Sequence, residues 1–336
     1  MEQVEKSKSI QLWLGVGISI LSLAGLFFFI KPAEIIAEMR SARLSLVGIS
    51  FFGILAFMIL RAFRWRFMLN NAISWRQTFH IQNIGYMLTM LLPFRLGDLA
   101  RAVLIGNVPP VTLAQGVSTM VVERLLDMLF IVTMLPFTLA EASTLPDWMQ
   151  AGARGSGIAA IGAILVLIVA ANQRPFALKI AAFILEKLPF LDTKIWLKRT
   201  DELLVGLISL TRLRDGLVLI GYSILLWLPI LFSYRTVMQA VNIQPTWAVT
   251  GFVVAAAALS IAAPSSPGQI GVFHAGVTAA LVFLNQDKNA AASFAVIYHA
   301  LSLVSMIILG AIGLMGTGAT FGEVVATTRQ FARRKS

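Results

Sequence analysis

Apolar runs of span-like length alternate with short polar stretches along this chain, and the alternation predicts helices throughout. The runs Ile10–Ile30, Leu44–Leu60, Val111–Leu139, Gly155–Ala171, Gly216–Val237 and Ala290–Met315 have the length and composition of membrane-crossing helices. The first resembles a signal-peptide core, but it is too long and lacks a small-x-small cleavage site, so it reads as a retained span. Four further apolar segments are shorter: Thr78–Leu92, a second near 99–107, then Thr246–Ala263 and Ile270–Leu284. They come in two pairs, and each pair is split by a break rich in proline and glycine. Residues 33–43 read as a short amphipathic connector. Asn172–Asp215 reads as amphipathic helices on the cytoplasmic surface, since about forty residues bury little core of their own.

The two breaks carry the polar chemistry. The first runs Leu92-Pro93-Phe94-Arg95-Leu96-Gly97-Asp98-Leu99-Ala100-Arg101, and the second Ala263-Pro264-Ser265-Ser266-Pro267-Gly268-Gln269-Ile270-Gly271. Glycine follows proline at i+4 in both. Charge and helix breakers at membrane depth are costly and mark sites. Pro93, Gly97, Pro264, Pro267 and Gly271 are the expected turn residues. Gly97 is expected to open a helix over 98–107 with Asp98 as its N-cap, and Gly268 and Gly271 to stand at the start of the 270–284 helix. Such helix starts attract anions. The plainer alternative is that these glycines and prolines only permit close helix packing.

Charge orients the chain. Lys and Arg concentrate in Arg61–Arg76, in 172–215 and in the tail, which places these segments and both termini in the cytoplasm of a cell-membrane protein. Tracing the spans from there divides the chain at 1–43, 44–139, 140–215, 216–315 and 316–336. Span–hairpin–span then occurs twice, in opposite orientations. The expected fold is an all-α integral membrane protein with about six full spans plus two opposed re-entrant helical hairpins in an inverted repeat. One step in the trace has an alternative: Thr246–Ala263 is nearly long enough to cross fully. Within Val111–Leu139, Glu123, Arg124 and Asp127 either line a cavity or mark the cytoplasmic end of a shorter span. Arg124 and Asp127, at i and i+3, can pair on one face. Arg61-Ala62-Phe63-Arg64-Trp65-Arg66 reads mainly as a basic and aromatic belt that anchors the chain at the interface, with contact to lipid phosphate as the alternative.

Composition narrows the function. The chain is 58% hydrophobic and 13% charged, against roughly 25% charged in soluble domains. Its net charge of +11 fits the positive-inside bias and anionic lipid rather than nucleic acid. There are no cysteines and three histidines, His80, His274 and His299. No HExxH, P-loop or paired metal-ligand set occurs, so no enzyme activity, cofactor, metal or ATP coupling is expected.

Several of these pieces together resemble the lysylphosphatidylglycerol synthase transmembrane region, a flippase-type domain. The matching residues are Arg61-Ala62-Phe63-Arg64-Trp65, then Asn83 through Pro93–Asp98 to Arg101, then Val122-Glu123-Arg124 with Asp127, and finally Ser265–Gly271. The family often has Glu after the glycine of the first motif, where this chain has Asp98. It often has Glu after the second motif, where this chain has Phe273-His274. His274 is then either a pH-sensitive substitute or an ordinary hydrogen-bonded histidine. The resemblance implies movement of a lipid or lipid-linked headgroup between leaflets. It does not imply lysyl transfer, for which this sequence carries no soluble synthase domain.

The expected binding residues are Arg95, Asp98, Arg101, Glu123, Arg124 and Asp127, facing Ser265, Ser266, Gly268 and His274. Arg95 and Arg101 would hold phosphate; Glu123 and Asp127 would balance Arg124 or meet a cationic headgroup. The expected partners are membrane phospholipids or polyprenyl-linked lipids. An ion-coupled transporter of a small anion and a non-catalytic subunit of a lipid or glycan pathway are the alternatives. Small-residue runs such as Ala255–Ala258 suit close packing within one chain or in a homo-oligomer.

Overall fold

The computed structural model describes residues 16–28, 30–92, 96–142, 147, 151, 155, 157–159, 161–162, 166, 169–170, 172–186, 192–206, 213–262 and 266–334. Every regular element among them is a helix. In order they are α1 (Val16–Phe28), α2 (Pro32–Ser41), α3 (Leu44–Met68), α4 (Trp75–Leu91), α5 (Leu96–Gly106) and α6 (Leu113–Ala142). After them come α7 (Arg174–Leu185), α8 (Thr193–Gly206), α9 (Leu213–Ala240) and α10 (Trp247–Ala262). A short 3-10 turn (Pro267–Gln269) leads to α11 (Val272–Phe283), α12 (Lys288–Thr317) and α13 (Phe321–Arg334).

Three helices among the described residues are long and apolar enough to cross a membrane, at Leu44–Met68, Arg214–Ala240 and Lys288–Thr317. Helix α6 is also 30 residues long, but it carries Glu123, Arg124 and Asp127. Eight of the 17 positions of the 155–171 span lie outside the described residues, as do positions 10–15 and 29 of the 10–30 span. With few polar side chains to solvate, these helices expose Leu, Ile, Phe and Val outward, as a lipid-facing surface requires. The chain is an all-helical, multi-pass membrane protein.

Helix partners fall into matched sets. α3 packs along α9. α4 packs on α12, and α10 on α6. α5 meets α6, and α11 meets α12. α4 and α5 pair with each other, as do α10 and α11. α2 rests on α12, and α8 on α6. The second break also reaches α4, which the Pro267–Gln269 turn touches. A Cβ at Gly268 would lie 3.4 Å from the Met90 carbonyl oxygen.

Local sequence explains the ends. Ser74 and Gln77 form a reciprocal capping box at the start of α4. Asp287 accepts from the Asn289 and Ala290 N–H groups and starts α12. In the second break Gly268 and Gly271 take φ of 70° and 93°, a region that favours glycine. α7 and α8 are joined by Arg174, whose Nε lies 2.6 Å from Asp201 Oδ1; that hydrogen bond holds the Asp201 carboxyl below its usual range.

Three boundaries differ from the sequence expectation. α3 does not end at Leu60 but runs to Met68, so Arg61, Arg64 and Trp65 are buried core residues rather than an interfacial belt. α5 starts at Leu96, so Gly97 and Asp98 lie in its first turn instead of opening and capping it. The tail also contains α13, whose Val324 and Thr328 are buried where the helix packs on α5.

Candidate functional site

The site begins with a buried ion network between α3, α5 and α6. Glu123 is 1% exposed and accepts from Arg61 and Arg101 at once. Arg61 reaches Glu123 Oε1 at 2.6 Å and Asp127 Oδ2 at 2.5 Å with the same Nη2. Arg101 grips both Glu123 oxygens, at 3.1 and 2.9 Å. Arg64 donates to Asp127 Oδ1 at 2.7 Å and to the Ser223 hydroxyl at 3.1 Å. Tyr86 donates its phenol to Glu123 at 3.3 Å.

Aromatic faces complete the cage. The Arg101 guanidinium lies 4.4 Å over Trp65 and 5.2 Å from Tyr86, and Arg61 lies 5.3 Å from Phe57. Stripping water from so many charges is tolerable only when each has a partner of opposite sign. At the edge of this cage Arg124 bonds to both Asp98 oxygens at 2.8 Å. Arg124 and Asp127, expected to be able to pair along one helix face, turn instead to separate partners.

A cavity of about 260 Å³ lies beside the network. Helices of both halves wall it: α3, α4 and α6 on one side, and α9, α10, α11 and α12 on the other. Its polar lining is Arg61, Tyr86, Arg124 and Asp127 facing Gln269, Tyr234, Tyr298, His299 and Ser302. The rest is apolar. Helix register sets this facing. Counted from the first residue of each 30-residue helix, Arg124 and His299 both stand twelfth, Asp127 and Ser302 fifteenth, and Ile131 and Met306 nineteenth; all six line the cavity.

The expected site residues fall into four groups. Arg124 and Asp127 line the cavity, with Asp98 bonded to the first of them. Arg101 and Glu123 lie beneath it and are bonded to each other. In the second break, Gly268 is buried at the tip, and Pro267 starts the 3-10 turn. The Ser266 N–H donates to Ser19 of α1 at 2.9 Å, and a Cβ at Gly271 would meet Ser19 as well. His274 accepts from the Gly271 N–H at 3.3 Å and stacks on His299 with ring centres 4.7 Å apart, so it stands behind the cavity-lining histidine. Finally, Arg95, Ser265, Pro93 and Pro264 lie outside the described residues.

Gly97 serves packing: a Cβ there would sit 1.9 Å from the Gly85 carbonyl oxygen. α4 and α5 can approach only because both positions lack a side chain.

Sequence reading passed over Arg61, Arg64, Tyr86, Tyr234, Tyr298 and His299 as site residues. One signal for the first two was present. Ile54, Phe57, Met58, Arg61, Arg64 and Trp65 continue one helical face at steps of three and four. The tyrosines and His299 sit in apolar helices with no local mark.

The family described as lysylphosphatidylglycerol synthase TM region matches residues 12–310, which includes every residue that lines the cavity. No curated protein and no solved structure matches the chain. The chain therefore belongs to the lysylphosphatidylglycerol synthase TM region family.

Proposed function

We propose that this protein is a non-catalytic lipid flippase or lipid-headgroup transporter. It carries a phosphate-bearing lipid or lipid-linked substrate between the leaflets of the cell membrane, with both termini in the cytoplasm. The family's lipid association supports this reading, and one observation at the site carries it. Arg61, Arg64, Arg101 and Arg124 are set against Asp98, Glu123 and Asp127, four cations to three anions. Arginine stays charged even when buried, so the cluster retains one positive charge.

Arg124 is where that charge is reachable. Its side chain is 40% exposed, whereas Arg101 and Arg64 are at 0%. Asp98, its partner, takes both of its hydrogen bonds from the single nitrogen Nη2, whereas a phosphate can accept from two nitrogens of the guanidinium fork. A headgroup phosphate entering the cavity would take over from Asp98. Arg101, which the sequence assigned to phosphate, instead fixes Glu123 and so the floor of the site.

The architecture we propose is an inverted repeat of two span–hairpin–span units, α3–α6 and α9–α12, with the hairpins re-entrant. The matched helix partners and the contact of the second hairpin's tip with α4 support it. In that arrangement broken helices face one site from opposite sides, which suits alternating exposure of the cavity to the two leaflets.

The test is the full chain in liposomes, with leaflet-specific quenching of labelled phosphatidylglycerol, polyprenyl phosphate and a neutral lipid. Exchange of the phosphate-bearing lipids should exceed that in empty vesicles, and Arg124→Gln should slow it about tenfold. That equals the loss of roughly 1.4 kcal/mol of binding, the scale of a charged hydrogen bond. Exchange no faster than in empty vesicles, for every lipid tried, overturns the reading. Normal exchange by Arg124→Gln removes the phosphate role from this residue.

A further inference from the structure

Two helix seams flank the cavity, and they are built differently. The α4–α12 seam is shut. Cβ atoms placed at Gly310, Gly313 and Gly316 would come within 2.4–2.6 Å of Met87, His80 and His80 respectively, so the helices mesh with no room between them. The α6–α10 seam holds corresponding partners in the other half of the molecule. It touches closely at Gly251, where a Cβ would lie 2.6 Å from Thr138 Cγ2. Beside that contact runs an apolar groove of about 300 Å³, walled by α6, α9 and α10.

The groove adjoins the polar cavity. Ile131, Trp227 and Val254 belong to the walls of both. Beyond them lie Met134, Phe137, Ala248 and Trp247, and Trp247 is 58% exposed. Between Arg124 and the outer surface of a protein whose surroundings are lipid, this side of the molecule is thus lined almost wholly by apolar side chains, with Ile131, Trp227 and Val254 as the partition between cavity and groove.

We propose that the α6–α10 groove is the hydrocarbon-chain site of the transported lipid and the side door by which the chain stays in the bilayer. The proposal rests on the headgroup reading above and deepens it. A small soluble anion would have no use for an apolar groove beside its site. A lipid needs one, because an acyl or isoprenoid chain loses about 0.8 kcal/mol per methylene when it is drawn into water. The closed α4–α12 seam then makes exit one-sided: the headgroup crosses through the centre while the chain slides along one seam.

The chain's lack of cysteine makes a direct test available. Thr138 Cβ and a Cβ at Gly251 lie 3.5 Å apart, within the roughly 3.5–4.5 Å that a disulfide spans. In liposomes, oxidising a Thr138→Cys, Gly251→Cys double variant should cut exchange of chain-labelled phosphatidylglycerol at least tenfold, and reduction should restore it. Ser50→Cys with Ser233→Cys is the control, because it joins α3 to α9 away from the groove, where the two hydroxyls meet at 2.6 Å. Arrest by both disulfides, or by neither, overturns the proposal.

Phosphatidylglycerol with a diazirine in its chain supplies a second readout that needs no disulfide. It should label α6 and α10 at least fivefold more than a diacylglycerol with the same label, and Ala248→Trp, which fills the groove, should remove the excess. Equal labelling by the two lipids, or labelling mainly of α4 and α12, also overturns it. Failure of the headgroup reading looks different: Arg124→Gln would then exchange lipid normally while the disulfide lock still arrested it.

Discussion

Glu123 is the residue on which the ion network turns. It accepts hydrogen bonds from Arg61, Arg101 and Tyr86, and only 1% of it is exposed. Removing it leaves two buried guanidinium groups short of a partner, a class of change that costs about 3–5 kcal/mol. Glu123→Ala should therefore show a clear fall in thermal unfolding temperature in detergent. Glu123→Gln, which keeps the shape and one acceptor oxygen, should fall less. Equal stability of Glu123→Ala and wild type would mean that the network contributes nothing to the fold. The acidic residues were legible in the sequence because charge inside an apolar run stands out. Their partners Arg61 and Arg64 were not, because Arg after an apolar run ordinarily ends a span. Here the ladder continues through them, since Glu123 and Asp127, 62 to 66 positions along the chain, neutralise them in the core.

At the scale of elements, packing decided more than local preference. Gly97 carried the signature of a helix start, yet its main service is to let α5 meet α4. A methyl group there would lie 1.9 Å from the Gly85 carbonyl oxygen and 2.2 Å from Thr89 Oγ1. Gly97→Ala should cost about 1–3 kcal/mol as an overpacking change, read as lower thermal stability and faster proteolysis near residues 92–96. Gly48→Ala, with nothing within 4 Å of the new methyl group, should cost nothing. The apolar runs gave most helices to within a few residues, because periodicity and length survive any tertiary context. α13 escaped notice because its apolar side is short and becomes meaningful only against α5.

For the whole molecule, orientation is the property to test. The inverted-repeat reading puts the loop at 238–245 and the turn at 285–287 on the same, outer face, and the turn at 69–74 on the inner one. Single cysteines at Asn242 and Gln286 should react with an impermeant maleimide in intact cells, and one at Asn71 should react only after permeabilisation. Full crossing by α10 and α11 would leave Gln286 on the outer face as well, so a cysteine at Gly268, between the two helices, separates the alternatives: if it reacts like Asn71, only after permeabilisation, both helices cross fully and the re-entrant hairpins are wrong. The pairing of α4 with α12 and of α10 with α6 gives the physical reason to expect symmetry. One helix of each hairpin packs along the 30-residue helix of the opposite half.

By itself, the sequence determined the solvent and the vocabulary of this protein. Its apolar length and low charge require helices in lipid, because an unpaired backbone has nowhere else to bond. The residues that resist this, proline, glycine, arginine and carboxylate, mark where the site is assembled. What only the tertiary structure decided is which of those charges remain available. Arg101 and Arg124 look alike in sequence, and both lie near Asp98. One is sealed against Glu123, and the other faces a cavity from a partly exposed pair. That distinction depends on how α3, α5 and α6 close around a single carboxylate. It also depends on which of two seams was left open, and side-chain volumes far apart in the chain set that.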